Sequence, residues 1–125
     1  MAQNAEDRSC ITQFELGEMF EKNDRARDYA SAFRWYLHSA KHGYRKAQHR
    51  LGTMYARGVG VTRNYIEAYA WCKVSAAQHS QRARLKLKKI EAYMSTEQIF
   101  RARKLSRQYY EMYVAPFANQ ALIRE

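Results

Sequence analysis

The sequence is short of residues that break helices. It holds one proline, Pro116, and five glycines in 125 residues. Proline removes an amide donor and glycine loses the most backbone freedom on ordering. Their scarcity, beside many Ala, Leu, Arg, Lys, Glu and Gln, favours helix nearly throughout. Cysteine is scarce as well. Cys10 and Cys72 are too few for a disulfide framework and fit a reduced cytoplasmic protein. No apolar run approaches the roughly 20 residues that a bilayer span requires. The opening MAQNAEDRSC lacks the apolar stretch of a secretory signal. Signatures of catalysis are missing too. Gly58-Val59-Gly60 has neither a preceding strand nor a following Lys-Ser/Thr, so it is no phosphate loop. No Ser/His/Asp order and no Cys/His pair is present, and the chain is expected to be no enzyme and to carry no cofactor. His38 and His42 stand four apart on one helix, a spacing that can bring two ligands together. No carboxylate or cysteine completes the set. A solvated pair at a helix C-terminus, favoured by the dipole, is expected instead of a metal site.

Acidic residues are scarce after residue 28. Residues 1–28 carry four Arg/Lys against seven Asp/Glu, whereas residues 29–107 carry seventeen against three, within a net charge of +10 for the chain. Such polarity steers acidic partners toward the middle and C-terminal part. Aromatic residues are plentiful: ten Tyr, five Phe and two Trp.

The chain also repeats itself. Leu16-Gly17 recurs as Leu51-Gly52 and Phe20 as Tyr55, at an offset of 35. Asp28, Tyr29, Ala32, Trp35 and Ala40 then recur as Asn64, Tyr65, Ala68, Trp71 and Ala76 at an offset of 36. One residue is gained in the connecting loop. A period near 35 with small and aromatic residues at fixed places marks a stacked helical array. Each unit reads as two helices. In the second, Ala47, Leu51, Met54 and Tyr55 keep helical spacing, and the glycines at 58 and 60 turn the chain. Asn64 reads as an N-cap with Glu67 as its capping-box partner. Trp71 is expected to fill the gap beside the small residues Ala68, Cys72, Ser75 and Ala76. Cys72 reads as core, and Cys10 as an exposed residue preceding the first helix. Gly17 and Gly52 predict a close helix crossing in each unit. Trp35 and Trp71 are expected in like pockets of successive layers, and dissimilar surroundings would count against the arrangement and the function read from it. A weaker third unit keeps Ala83 and Leu87, with Lys88 and Glu91 at the glycine and tyrosine places. Ser95 and Gln98 form a capping box, a helix runs from about Thr96 to Val114, and Pro116 stops it.

These residues resemble the Sel-one-like repeat family, a relative of the tetratricopeptide repeat. The second unit carries its pattern nearly in full: Ala47, Leu51, Gly52, Tyr55, Gly58, Gly60, Val61, Ala68, Trp71, Ala76 and Ala77. The first has KNDRARD in place of the glycine turn. The resemblance implies an all-α fold, a right-handed α/α superhelix of two repeats with a degenerate C-terminal capping helix pair. The divisions are 12–44, 45–80 and 81–114, with 115–125 as a tail, all in a single domain of residues 1–125. It further implies a non-catalytic adaptor that binds another protein, of the kind serving bacterial regulation, secretion or toxin neutralisation.

Repeat arrays bind along the wall lined by the first helix of each unit. Transferred to this chain, the groove positions are Phe14, Glu18 and Lys22; then Lys46, His49, Thr53 and Arg57; then Arg82, Leu85, Lys89 and Tyr93. Leu85 lies off the face shared by Ala83, Leu87, Ile90 and Met94, and Arg82, Lys86, Lys89 and Tyr93 form a basic–aromatic strip beside it. That strip reads either as a solvated face of a capping helix or as groove. The groove is basic in units two and three and mildly acidic in unit one, which suits an acidic or mixed-charge protein segment. On the last helix, Ile99, Ala102, Leu105, Tyr109, Met112 and Tyr113 are expected to face the stack. Phe100, Arg103, Lys104 and Arg107 form a second surface, left open or covered by the tail PFANQALI. Nucleic-acid binding through the basic 82–107 stretch is the alternative from another class. Pairing of two copies through an open end of the stack is also compatible with so short an array.

Overall fold

A computed structural model describes residues 2–23 and 28–117, with side chains from residue 9 onward. Six helices follow one another: α1 (Ala2–Lys22), α2 (Tyr29–Lys41), α3 (Arg45–Arg57), α4 (Tyr65–Ala77), α5 (Gln81–Glu91) and α6 (Thr96–Tyr113). There is no strand among the described residues. The helices form three successive hairpins of an α/α solenoid.

Local chemistry sets the boundaries. Asp28 caps α2 by accepting from the Ser31 amide at 2.9 Å and the Ser31 hydroxyl at 2.6 Å. Its carboxyl is held below the usual range, first by the hydroxyl bond and then by the amide bond. Asn64 plays the same part for α4, accepting from the Glu67 amide at 3.1 Å. The expected reciprocal bond from the Asn64 amide to Glu67 is absent: that amide donates to the Tyr55 carbonyl at 2.9 Å, and the Glu67 carboxylate accepts the Tyr109 hydroxyl at 2.8 and 2.9 Å. Ser95 and Gln98 do close a full capping box at α6. Gly58 and Gly60 take φ of 69° and 77°, and Gly60 lies so close to the Tyr29 carbonyl that a Cβ would not fit. The glycine turn of the second hairpin is thereby seated on the start of α2. The KNDRARD loop of the first falls largely outside the described residues.

The repeat is written most clearly in its hydrogen bonds and close approaches. Buried Ser39 of α2 donates to the Cys10 carbonyl of α1 at 2.6 Å, and Ser75 of α4 donates to the Arg45 carbonyl of α3 at 2.9 Å. Gly17 lies under the Tyr36 ring, where a Cβ would meet ring carbons at 2.6 and 2.7 Å. Gly52 lies under the Cys72 sulfur in the same way. Tyr36 and Cys72 are 36 apart, the offset of the second helices.

The two indoles are not equivalent, contrary to the sequence expectation. Trp71 is buried at 2% exposure, 4.5 Å from the Tyr109 ring and stacked 5.5 Å from Tyr113. Trp35 is half-buried and, among the described residues, has only His38 as a ring neighbour, at 6.2 Å. The reason is α6, which lies along α4 and covers Trp71; among the described residues no helix lays aromatic rings on Trp35 in that way. Equivalence between layers therefore rests on the glycine and serine positions, and the tryptophan pockets give the adaptor reading no support.

Other expectations need correction. Cys10 sits inside α1 and is buried at 7% exposure. Met112 is exposed, and Ser106, with Ala102, takes the inward face of α6. Cys72 is core as expected, its thiol pushed up to about 12 by burial. One apolar cluster joins Phe14, Tyr36, Leu51, Met54 and Trp71 to Val114, and a second joins Ala68, Tyr69 and Cys72 to Leu87, Ile90 and Ala102.

Candidate functional site

Polar side chains of α1, α3 and the α4–α5 turn converge on a cleft of about 620 Å³. It brings together Phe14, Glu18, Lys46, His49 and Arg82 from the expected groove, and adds Arg45, Arg50, His79, Ser80 and Gln81. Phe14 forms the floor and is no surface contact. It is 7% exposed, its ring 5.4 Å from Tyr36 and 5.3 Å from Tyr44, with the Arg50 guanidinium 5.5 Å above it. An aromatic at this place reads as groove in a repeat pattern, but here it closes the core beneath the groove.

Arg50 organises the first-unit side. Its guanidinium contacts Glu21, lies 3.6 Å from Glu18, and sits 5.4 Å over the Tyr36 ring. Tyr36 donates to Glu21 at 2.9 Å. The acidity expected of unit one is thus engaged internally. The exposed cations of the cleft are Arg45, Lys46 and Arg82, of which Arg45 donates to the Gln78 carbonyl at 3.0 Å.

The α4–α5 turn carries the residues that sequence reasoning missed. His79 adopts φ of 69°, a left-handed conformation that swings Ser80, Gln81 and Arg82 toward α3. No glycine marks that turn, so only the N-cap serine could have signalled it. Ser80 caps α5, accepting from the Ala83 amide at 3.2 Å.

The remaining expected positions lie outside the cleft. Lys22 pairs with Glu18 at 3.4 Å on the α1 surface. The Thr53 hydroxyl donates to the His49 carbonyl at 3.3 Å. Arg57 and Lys89 sit near half-buried Lys86, whose ammonium is pushed below its ordinary value, first by burial and then by Arg57. Leu85 and Tyr93 are exposed, Tyr93 stacking on Tyr65 at 5.6 Å and 9°. His49 is pushed below its ordinary value by burial first, then by Lys86, Arg50 and Arg82. The wall formed by α3 and α5 is thus a cationic strip with the cleft at one end.

On the second surface, Phe100 is 68% exposed, with Arg103, Lys104 and Arg107 also exposed. Arg103 donates to the Tyr69 hydroxyl at 3.4 Å. Phe117 packs against Gly43 and His42, so the described part of the tail leaves Phe100 open. Residues 118–125 lie outside the described residues. No cluster of His, Cys, Asp and Glu suited to a metal occurs among the described residues, and no helix there is long and apolar enough to cross a membrane.

Comparison with known proteins agrees with this architecture. The family model of the Sel1 repeat matches residues 11–44 and 45–80. A protective antigen of uropathogenic Escherichia coli, solved as an SLR fold, superposes with a TM-score of 0.81 at 29% identity over 92% of this chain and 25% of its own. A Sel1 repeat protein from Oxalobacter formigenes superposes at 0.62 with 32% identity, over 65% of this chain and 24% of its own. The chitin synthase regulator SKT5 of Saccharomyces cerevisiae is 39% identical over 69 residues, 55% of this chain. The chain spans only 9% of that regulator's length.

Proposed function

The chain belongs to the Sel1-repeat family, and from that premise we propose that it is a non-catalytic adaptor whose basic cleft receives an acidic or mixed-charge segment of another protein. Sel1-repeat proteins generally mediate protein–protein contacts, and a regulator is among the relatives. The observation that supports the acidic ligand is the set of exposed cations Arg45, Lys46 and Arg82 around a concave opening. Guanidinium groups hold carboxylates in two-point fashion, and the surrounding positive field speeds encounter. The positive field continues through Lys86, which lies near His49, Arg57 and Lys89. A role in bacterial regulation, secretion or toxin neutralisation, and pairing of two copies through an open end, are compatible with this reading.

The test uses a labelled, blocked aspartate-rich peptide and fluorescence anisotropy. Binding is expected to weaken steadily from 50 to 500 mM salt, since screening shortens the reach of surface charge to a few ångströms. Lys46→Glu with Arg82→Glu should weaken it at least about tenfold, in line with loss of paired charges. Arg103→Glu with Lys104→Glu, on the far surface, should leave it within about twofold, as distant rim charges act mainly on rate. Affinity indifferent to salt and to the cleft pair would sink the reading.

A second reading rests on the open Phe100 between cations. A base can stack on such a ring while arginines hold phosphates. Retardation of single-stranded DNA in a gel at physiological salt, lost in Phe100→Ala, would favour it over the cleft.

A further inference from the structure

The cleft contains one group that a plain electrostatic receptor leaves unused. His49 Nε2 is shielded from water and has no hydrogen-bond partner. Buried polar atoms are nearly always satisfied, so a bare one in a residue that lines the cleft asks what balances it. The surroundings answer in charge. From its own helix come Lys46 and Arg50; from α1 comes Glu18, already paired with Arg50. From the α4–α5 turn and α5 come His79, Arg82 and Lys86. Every cation in this set opposes a proton on His49, and the one carboxylate nearby is neutralised.

We infer that a carboxylate seated in this cleft beside Arg82 converts His49 to its imidazolium, so that an acidic segment binds together with a proton. This deepens the proposed function and rests on it. Without a bound carboxylate the imidazolium is disfavoured, first by burial and then by the fields of Lys86, Arg50 and Arg82. A bound carboxylate offsets that field and so favours the imidazolium. The proton is then held more tightly in the complex than in the free protein. By linkage, affinity rises as pH falls from the bound-state value toward the free-state value, and levels off below it. Arg and Lys stay charged throughout this range, and ligand aspartates stay ionised, so the titration belongs to an imidazole. His79 is the other one, exposed at the rim.

The experiment titrates the whole chain with acetylated hexa-aspartate between pH 5.5 and 8 by calorimetry, in two buffers of different ionisation enthalpy. Binding is expected to be about tenfold tighter at pH 5.5 than at 7.5, the effect of a one-unit rise in the imidazole's pKa. Proton uptake should appear near neutral pH. His49→Gln should flatten the dependence, and His38→Gln, at an exposed residue outside the cleft lining, should keep it. An independent readout needs no variant: the His49 ring proton, followed by NMR, should titrate at higher pH with peptide than without. Salt-sensitive binding that ignores pH, a dependence that survives His49→Gln, or an unmoved His49 titration would overturn the inference and leave the acidic-segment reading standing. Failure of the peptide to bind at any pH would overturn both.

Discussion

At the scale of the residue, two glycines carry the crossing of the helices. Replacing Gly52 with alanine brings a Cβ onto the Cys72 sulfur, and within 3.2 and 3.3 Å of the Ala68 carbonyl and Cys72 amide. In an open helix the same change gains about 1 kcal/mol, whereas forced overpacking costs about 1–3 kcal/mol. Backbone atoms cannot swing aside, so overpacking wins. Gly52→Ala is expected to lower stability by about 1–2 kcal/mol in urea denaturation, against helix propensity. Cys72→Ala in the same chain should recover roughly 1 kcal/mol, measured as the coupling of a double-mutant cycle. Additive effects would mean that the sulfur is not the obstacle. This contact was half legible: the recurrence of Leu-Gly announced a close crossing, but whether a ring or a thiol lies above it depends on the partner helix. The serine bonds from Ser39 and Ser75 were hidden altogether, since a small residue in a small-residue stripe looks the same whether or not it donates.

At the scale of the element, α6 decides which tryptophan matters. Sequence symmetry put Trp35 and Trp71 on equal footing, and each does occupy the same place on its own helix. What differs is the neighbour. α6 lays Tyr109 and Tyr113 on Trp71, and a terminal helix breaks the symmetry that a period can reveal. Trp71→Ala should therefore cost about 3–5 kcal/mol, as for a large buried aromatic. Trp35→Ala, at a half-buried site without the Tyr109 and Tyr113 rings upon it, should cost less, about 2 kcal/mol by area. Equal losses would show that Trp35 is buried after all. Tyr109→Phe removes the hydroxyl that donates to the Glu67 carboxylate, and a bond to a charged acceptor is worth about 1.5–3 kcal/mol. Helix existence and order were legible from spacing, and the caps of α4 and α6 from Asn64, Ser95 and Gln98. The reach of α1 back to Ala2 was not, because acidic and polar residues without apolar rhythm leave a helix start unmarked.

At the scale of the whole molecule, charge and burial together set a pH window. The candidate cleft was legible where it follows the repeat: Glu18, Lys46, His49 and Arg82 line it together. It was illegible where it depends on a turn, since the left-handed His79 that carries Ser80 and Gln81 into place has no sequence mark. The same burial that shapes the cleft and core shifts protons. Cys72 is pushed up to about 12, and burial also raises Tyr36 and Tyr109. In the unfolded chain these groups ionise near their ordinary values, so above about pH 9 the unfolded state sheds protons that the folded state keeps. Stability is then lost as pH rises, by up to about 1.4 kcal/mol per pH unit for the thiol alone. His49 works on the other side. Its folded value is depressed, so its contribution is present above about pH 6.5 and is lost as pH falls through the folded value. Urea denaturation across pH 5 to 11 should show a plateau between about pH 7 and 8.5 with a fall on each side, as that pair of shifts requires. Cys72→Ala should soften the alkaline fall between about pH 9 and 10, before the tyrosines enter, and His49→Gln should soften the acid one. An alkaline limb untouched by Cys72→Ala would mean that water reaches the thiol, and with it the packing of α4 against Gly52 would have to be looser than the structure has it.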